Sequence, residues 1–178
     1  MSDQRHPPAA DPAVSDQPAT PEARLQKGLA LSYAYINRRE RTAAELSAHL
    51  ERKGIETGVA AECLRELTGL GYVDDRRYAL MFVHDKRELE GWGSERIRRG
   101  LAERGVDRAA IEAALAEHET EFAAGETELD RAVALLARRF PEPPRERRDR
   151  DRALGALIRK GFDSELALDA LTAYARGG

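Results

Sequence analysis

The chain has 178 residues, of which 42% are hydrophobic and only 6% aromatic, and its 29 basic and 32 acidic side chains give a formal net charge of −3. This balance excludes a chain that is cationic throughout, so any contact with nucleic acid has to come from a local basic patch. The single cysteine excludes an internal disulfide, and no apolar run reaches the roughly 20 residues needed to cross a bilayer. We therefore expect a reduced, cytoplasmic protein.

The N-terminal segment 1–22 is predicted to be a disordered tail. It is rich in Pro, Ala and Asp and contains almost no large apolar residue. Such a segment cannot bury enough surface to offset the entropy of ordering it.

From Arg24 onward, apolar residues recur with helical spacing, and no strand-like alternation is seen. Thr42 and Glu45 fit a capping box at the start of a second helix. Gly54 and Gly71 are expected to end the second and third helices. The apolar stripe of the first helix consists of Leu25, Leu29, Tyr33 and Ile36.

The same three-helix layout is predicted for the middle of the chain. Asp75, Ser94 and Asp107 are placed to cap its three helices. The sequence Gly91-Trp92-Gly93 is expected to separate the first two of them. The apolar face of the first of these helices is predicted to carry Tyr78, Phe82 and Leu89, and that of the second Ile97 and Leu101.

A third set of helices is predicted toward the C-terminus. Asp163 is placed to cap the last helix. Residues 141–150 are rich in proline and charge and are expected to form a loop between the first two helices of this set. The first helix is predicted from Leu129, Val133, Leu136 and Phe140.

An internal repeat surrounds three glycines, Gly54, Gly105 and Gly161. Each follows a basic residue, precedes a large apolar residue, and has a leucine four positions before it and another ten positions after it. Glycine readily takes the left-handed conformation that ends a helix, so the next residue should fold back on the preceding leucine. The repeated residues are Leu50, Leu101 and Leu157; Lys53, Arg104 and Lys160; Ile55, Val106 and Phe162; and Leu64, Leu115 and Leu171.

These patterns predict an all-α fold of about nine helices in three tandem three-helix, helix-turn-helix-like repeats that form an elongated, curved array. After the tail at 1–22, the predicted repeats are 23–74, 75–120 and 121–178. One such unit is small and marginal alone, so stacking stabilises it.

Catalytic, cofactor-binding and metal sites are all predicted to be absent. Asp74 and Asp75 are adjacent at a helix start and point in different directions, so we interpret Asp75 as a helix cap. Cys63 lies on an apolar stripe and is interpreted as a buried structural thiol. The histidines are assigned to different units, without the spacing of metal ligands. They are His6, His49, His84 and His118.

Two features of the middle unit leave alternatives open. Trp92 is either a packing anchor or an exposed aromatic contact, and we favour packing. The basic residues of this unit form either a solvated face or a docking patch for an acidic protein surface or a DNA backbone. These candidate contact residues are Arg76, Arg77, Lys86, Arg87, Arg96, Arg98 and Arg99.

The middle unit resembles the RecX family. Residues 71–79, Gly-Tyr-Val-Asp-Asp-Arg-Arg-Tyr-Ala, are similar to that family's GY(I/L/V)DD-x-(R/K)-(F/Y)-A signature, with Gly71, Tyr72, Asp74 and Asp75 at matching positions. Residues 91–106 are similar to its G-(Y/W)-G-xx-RI-xxx-L-xx-KG-(I/V) segment, with Gly91, Trp92, Gly93, Ile97, Leu101 and Gly105 at matching positions. We expect these motif residues, Tyr72 included, to have structural roles. The resemblance covers Arg24 to about Arg176 and leaves out the N-terminal tail.

The resemblance implies tandem three-helix repeats and a regulatory function without enzymatic activity. It implies a monomer, without cofactor or membrane contact, that binds a RecA-type recombinase filament, with DNA contacted weakly through the filament. The implied effect is modulation, usually inhibition, of the ATPase, coprotease and strand-exchange activities in DNA repair and the SOS response. The alternatives are a helix-turn-helix DNA-binding module and a generic helical adaptor.

Overall fold

The computed structural model describes residues 20–121 and 125–177. Most of the predicted tail lies outside the described residues, and the first helix already begins at Pro21. Within the described ranges the chain is helical and without strands, which confirms the predicted all-α fold. The helices are α1 Pro21–Ile36, α2 Ala43–Arg52, α3 Thr57–Gly69, α4 Asp75–Glu88, α5 Ser94–Ala102, α6 Arg108–Glu121, α7 Glu128–Arg139, α8 Arg147–Lys160 and α9 Ser164–Gly177.

The helices form three units, each with its own hydrophobic core. We call α1–α3 unit 1, α4–α6 unit 2 and α7–α9 unit 3. In each unit the first helix packs most extensively against the third. The core of unit 1 includes Leu46, Leu50 and Leu67; that of unit 2 includes Val83, Ile97 and Leu101; and that of unit 3 includes Leu136, Leu157 and Phe162. None of the helices in the described part of the chain is long and apolar enough to span a membrane.

The predicted glycine turns are confirmed. Gly54, Gly105 and Gly161 have φ angles of 74°, 75° and 88°. In the first turn the N–H of Ile55 donates to the carbonyl of Leu50 at 3.0 Å, and the equivalent bonds in the other two turns are both 3.2 Å. This hydrogen bond closes the end of the helix and brings the apolar residue after the glycine back onto the core.

The turn after α3 differs from those three in which residue returns to the core. Gly71 has the predicted left-handed backbone, with φ at 74°, and the N–H of Tyr72 donates to the carbonyl of Leu67 at 2.9 Å. The side chain of Tyr72 nevertheless lies outside the core: it is 55% exposed and meets the ring of Tyr33 edge to face, at 5.5 Å between centroids. Val73 is the residue that returns to the core, since it is 2% exposed. Tyr72 therefore closes the helix through its backbone, and its ring covers the surface of unit 1.

Some of the predicted caps are confirmed and others are wrong. Thr42 forms the predicted capping box. Asp107 also caps as predicted, because its Oδ1 accepts from the N–H of Ala109 at 2.8 Å. The cap of α4 is Asp74 rather than Asp75, since the side chain of Asp74 accepts from the N–H of Arg77.

The cap of α5 is Gly93, not Ser94, which is the first residue of the helix and is buried. Both wrong predictions are off by one residue. In both cases the residue predicted as the cap instead contacts a neighbouring unit.

The predicted inner face of α4 is partly wrong. Leu89 is 80% exposed and lies just beyond the helix, whereas Arg87 is buried. Steps of four residues from Ala79 through Val83 lead to Arg87, so an arginine occupies the inner position that an apolar residue would normally take.

The predicted loop 141–150 is shorter than expected. Helix α8 begins at Arg147, so the last four residues of that range are helical. Glu146 stands at the N-cap position without a side-chain capping bond. The charged residues of this range are compatible with a helix, and proline is confined to the part before it.

The first junction joins units 1 and 2. The hydroxyl of Thr42 donates to the carbonyl of Arg104 at 2.7 Å. The N–H of Ala43, the first residue of α2, donates to the carboxylate of Asp75 at 2.8 Å. Gly105 packs so tightly against Ala44 that a Cβ atom there would clash with it.

The second junction joins units 2 and 3 in an equivalent way. The N–H of Gly93 donates to the carbonyl of Lys160 at 2.9 Å. The N–H of Ser94, the first residue of α5, donates to the carboxylate of Glu128 at 2.7 Å. A Cβ atom on Gly161 would clash with Arg96. In both junctions a carboxylate from the first residue of one helix caps the second helix of the preceding unit.

Candidate protein-docking surface

The predicted basic residues do not form one continuous patch. Arg76 and Arg77 lie near the first junction, Arg98 lines a cleft between α5 and α6, and Arg96 borders the second junction. Each group therefore has to be judged by its own contacts.

Arg76 and Arg77 are engaged in exposed ion pairs. Arg76 lies 3.0 Å from Glu117 of α6. Arg77 lies 3.3 Å from Glu40 of unit 1 and also donates to the carbonyl of Gly71 at 3.2 Å. These contacts tie the start of α4 to its surroundings, and exposed pairs of this kind contribute little stability.

Arg87 does not fit the predicted docking role, because it is only 4% exposed. Its guanidinium donates to the hydroxyl of Ser94 and to the carboxylate of Glu119, both at 3.1 Å. It also lies 3.1 Å from Nδ1 of His118. Burial lowers the pKa of Arg87 from its ordinary value, and the nearby carboxylates oppose that shift. Arg87 is therefore an internal cation that holds unit 2 together.

Trp92 lies half-buried in the turn between α4 and α5. Its ring meets Phe82 edge to face, with the centroids 6.2 Å apart. The Arg96 guanidinium stacks 4.0 Å from the ring centroid, and the Lys86 ammonium lies 4.9 Å from it. This arrangement agrees with the interpretation of Trp92 as a packing anchor, since its outer faces are covered by cations.

Arg98 and Arg99 differ although they are neighbours. Arg98 forms ion pairs at 2.8 Å with both Glu112 and Glu95. Arg99 is exposed, and within the described part of the chain no carboxylate lies within ion-pair distance of it. Both border a cleft of about 880 Å³ between α5 and α6. Arg99 is therefore the more available of the two for a partner.

A second cleft, which we call the junction cleft, lies where α5 meets the end of α8 and has a volume of about 570 Å³. Its lining contains four arginines and a single carboxylate, that of Glu103. Ile158 adds an apolar contact and is 44% exposed. The arginines are Arg96, Arg99, Arg104 and Arg159.

Of the four arginines in this cleft, the sequence predicts only Arg96 and Arg99 as contact residues. The sequence marks Arg104 only as a repeated residue before a glycine, and it gives no signal for Arg159. Arg96 Nη1 donates to the carbonyl of Arg159 at 3.2 Å, so the docking of unit 3 on unit 2 brings them together. Nothing in the local sequence around α5 indicates that contact.

Two of the histidines lie in the same unit, which corrects their assignment to different units. His84 on α4 and His118 on α6 have ring centroids 5.7 Å apart, and with Glu88 they could present three ligand atoms within 4.8 Å of one another. Burial lowers the pKa of His118 to about 4, and the positive charges of Arg87 and Arg131 add to the shift. A divalent cation would meet the same positive potential, so the geometry alone does not make this cluster a metal centre.

Cys63 lies in the core of unit 1, as predicted. Burial raises the pKa of its thiol. A buried, protonated thiol is a poor nucleophile and a poor metal ligand. Its role is packing, since a Cβ atom added to Gly28 would clash with its sulfur.

Comparisons with known proteins agree on one family. Residues 29–67 match "RecX, first three-helix domain", and residues 74–115 match "RecX, second three-helix domain". A protein of Mycolicibacterium vanbaalenii named "Regulatory protein RecX" is 32% identical over 172 residues, which cover 94% of this chain and 91% of the relative. The protein of the same name from Deinococcus radiodurans is 32% identical over 167 residues, which cover 92% and 78%.

Solved structures show the same fold. The crystal structure of RecX from Lactobacillus salivarius superposes with a TM-score of 0.72 at 21% identity and covers 85% of this chain and 96% of its own. A second crystal structure, of a regulatory protein RecX, gives a TM-score of 0.69 at 21% identity and covers 88% and 73%.

Proposed function

The chain belongs to the RecX family of regulatory proteins, and from that premise we propose that it binds a filament of a RecA-type recombinase in the cytoplasm and inhibits it. The inhibited activities are the ATPase, coprotease and strand-exchange activities used in DNA repair and the SOS response. In this proposal the chain acts as a regulator that binds, and not as an enzyme.

The observation that carries the proposal is the row of three units joined by two equivalent junctions. A recombinase filament is itself a regular array of protomers. A protein with repeated units can therefore contact more than one protomer, and each contact raises the effective concentration of the next. A filament bridged in this way resists the changes between protomers that ATP turnover requires, because the ligand favours one filament state.

The docking surface that we propose is the junction cleft, in which exposed Arg99 is the arginine most available to a partner. Its arginines offer planar, bidentate donors to carboxylates of an acidic protein surface. Arg96, Arg98, Arg76, Arg77 and Lys86 are already engaged in contacts within the chain, so they are secondary candidates.

The test is titration of the protein into recombinase, single-stranded DNA and ATP while phosphate release is followed. Wild type should slow phosphate release. Arg99→Glu should weaken that inhibition about ten-fold or more, as expected for reversal of a charge at a specific contact. Arg65→Glu is the matched control, because Arg65 is also exposed, on α3 and away from the cleft. Unchanged inhibition by a folded Arg99→Glu variant would show that the docking surface lies elsewhere.

A second candidate function is direct binding to DNA, and the four arginines of the junction cleft favour it. Binding through phosphate contacts falls steeply with salt. Tight binding of the chain alone to duplex or single-stranded DNA, with a steep salt dependence that Arg99→Glu reduces, would support this function. Binding that requires the recombinase would support the first proposal.

A further inference from the structure

A small cavity of about 140 Å³ lies inside the second junction. It is bounded on one side by the end of α4 and the turn after it, and on the other side by α7. Arg87 and Gly91 line it from unit 2, and Arg131, Arg138 and Phe162 line it from unit 3. The cavity is separate from the junction cleft, with which it shares only Trp92.

Arg87 supplies the first indication of a ligand. Its side chain is almost fully buried, and its terminal nitrogens donate to Ser94 and Glu119 and contact His118. Its Nε is also buried but finds no hydrogen-bond acceptor among residues 20–121 and 125–177. A buried N–H without an acceptor is rare and costly. Arg87 lines the adjoining cavity, so an acceptor atom bound there would satisfy Nε after a small shift of the side chain that uncovers it.

The other side of the cavity adds two more cations. Arg131 and Arg138 are two helical turns apart on α7, and both line the cavity. Arg131 is 13% exposed, and a Cβ atom on Gly91 would lie 4.0 Å from Nη2 of Arg138. The Arg138 guanidinium therefore lies beside the turn at Gly91, at a distance that a Cβ atom would also tolerate.

Nearby carboxylates offset part of this positive charge, since Glu119 and Glu128 both oppose the lowering of the pKa of Arg87. Glu119 is shared between Arg87 at 3.1 Å and Arg131 at 3.3 Å, so one carboxylate serves two guanidiniums. Glu88 and Glu126 also line the cavity but are exposed, and water screens their charge. Arg87 and Arg131 therefore form the covered part of the wall, whereas the exposed side chains of Arg138, Glu88 and Glu126 stand at the rim.

We propose that this cavity binds a small oxyanion of the phosphate class between units 2 and 3. The volume admits several waters or one tetrahedral oxyanion, but not a nucleotide. Its oxygens would accept from Arg87 Nε and from the guanidiniums of Arg131 and Arg138. Such an anion connects α4 to α7, so its binding favours the docked arrangement of the two units and raises their stability.

Calorimetric and ³¹P NMR titrations of the full chain with inorganic phosphate, at ionic strength held constant with sodium chloride, test this directly. Wild type should bind phosphate saturably, with a matching rise in melting temperature. Arg138→Gln should weaken binding at least ten-fold, since it removes one guanidinium from an exposed position that the fold does not need. Arg139→Gln, a neighbouring exposed arginine outside the cavity, should bind as wild type does.

The same titration with glycerol 3-phosphate distinguishes the source of the phosphate group. Binding of both probes, lost in Arg138→Gln, indicates a site open to the phosphate of a larger molecule, and binding of inorganic phosphate alone indicates a closed site for the free ion. Equal binding by Arg138→Gln and wild type would overturn the proposal. A crystal structure grown with phosphate that shows only water at Arg87 Nε would overturn it as well.

Discussion

The two junctions share a capping carboxylate but differ in how many further hydrogen bonds reinforce it. In both, a carboxylate caps the first N–H of a helix in the preceding unit, through Asp75 in the first junction and Glu128 in the second. The second junction adds a bond from Lys160 Nζ to the carbonyl of Glu90 at 2.6 Å and a bond from the N–H of Glu95 to the carbonyl of Gly161 at 3.0 Å.

The buried Arg87 lies close to the second junction as well, through its bond to Ser94. The difference teaches that the repeat specifies how units dock, whereas hydrogen bonds specific to each junction set how firmly they dock. We therefore expect the second junction to resist perturbation more than the first, and to lose more stability when its central contacts are removed.

The largest expected effect comes from alanine at the three equivalent glycines. All three have positive φ, so each variant loses about 1–2 kcal/mol from the left-handed backbone alone. Gly54→Ala should lose only this, because nothing lies within 4 Å of the new Cβ. Gly161→Ala should lose about 4 kcal/mol, because the new Cβ also clashes with the backbone and Cβ of Arg96.

Gly105→Ala should fall between them, since its clash is with the Cβ of Ala44. Urea unfolding of the three variants measures the free energy of unfolding of each and so tests this order. Equal losses in all three would mean that glycine is required at these positions only for the turn and that close docking contributes nothing.

The next effect is a dependence on pH that originates near the second junction. The pKa of His118 is lowered from 6.5 to about 4, so the neutral ring is favoured in the folded state. The neutral His118 ring contributes its full stabilisation of the fold above pH 6.5, and this stabilisation is lost as the pH falls through about 4. The free energy of unfolding should therefore drop by about 3 kcal/mol over this interval.

The pKa of Asp75 at the first junction is shifted in the opposite sense to that of His118 for stability, so its effect on the free energy of unfolding has the opposite dependence on pH. Burial raises its pKa above 3.8, so its contribution is present below that pH and is lost as the pH rises through the folded value. Unfolding measured between pH 7 and 4, with NMR titration of the His118 ring, separates the two groups. Titration of His118 near its ordinary pKa would contradict the expected loss of stability in acid.

A smaller effect distinguishes the two capping carboxylates. Glu128→Gln should cost about 2 kcal/mol, because Glu128 also accepts from the hydroxyl of Ser94 at 2.6 Å. Asp75→Asn should cost less than about 1 kcal/mol, because the amide still offers an acceptor to Ala43 and the burial of a charge is relieved. Urea unfolding of the two variants measures their free energies of unfolding. A larger loss of stability in Asp75→Asn than in Glu128→Gln would reverse our ranking of the junctions.

The smallest effect is expected at the exposed pair across the first junction. Arg77→Ala removes the contact between Arg77 and Glu40, whose side chains are both 45% exposed. Its cost should stay within about 1 kcal/mol, as is usual for exposed ion pairs. Thermal unfolding at low and high salt checks it, and a salt-independent loss of several kcal/mol would show that Arg77 supports the junction in another way.

Much of the fold could be predicted from the sequence, because its signals are local. Helix ends at Gly54, Gly105 and Gly161 follow from the left-handed conformation that glycine adopts, and the cap at Thr42 follows from a spacing of three residues. The errors at Asp75 and Ser94 have a shared reason. Both residues are suited to cap their own helix, yet each meets a neighbouring unit, and a local pattern carries no information about that contact.

The candidate sites depended more on tertiary structure. The basic residues could be identified one by one, but their availability could not be predicted. Arg87 is buried because α4 turns it inward, whereas Arg159 joins the junction cleft because unit 3 docks on unit 2. The proximity of His84 and His118 likewise results from the packing of α4 against α6.

By itself, the sequence determined the helices, the ends that glycine terminates and the threefold repetition, because hydrophobic spacing and glycine act over a few residues. Only the tertiary structure decided which charges are buried, which carboxylate caps which helix and where clefts form. Those outcomes depend on contacts between residues that are far apart in the chain, such as Ala43 with Asp75 and Lys160 with Glu90, and such contacts exist only once the units have docked.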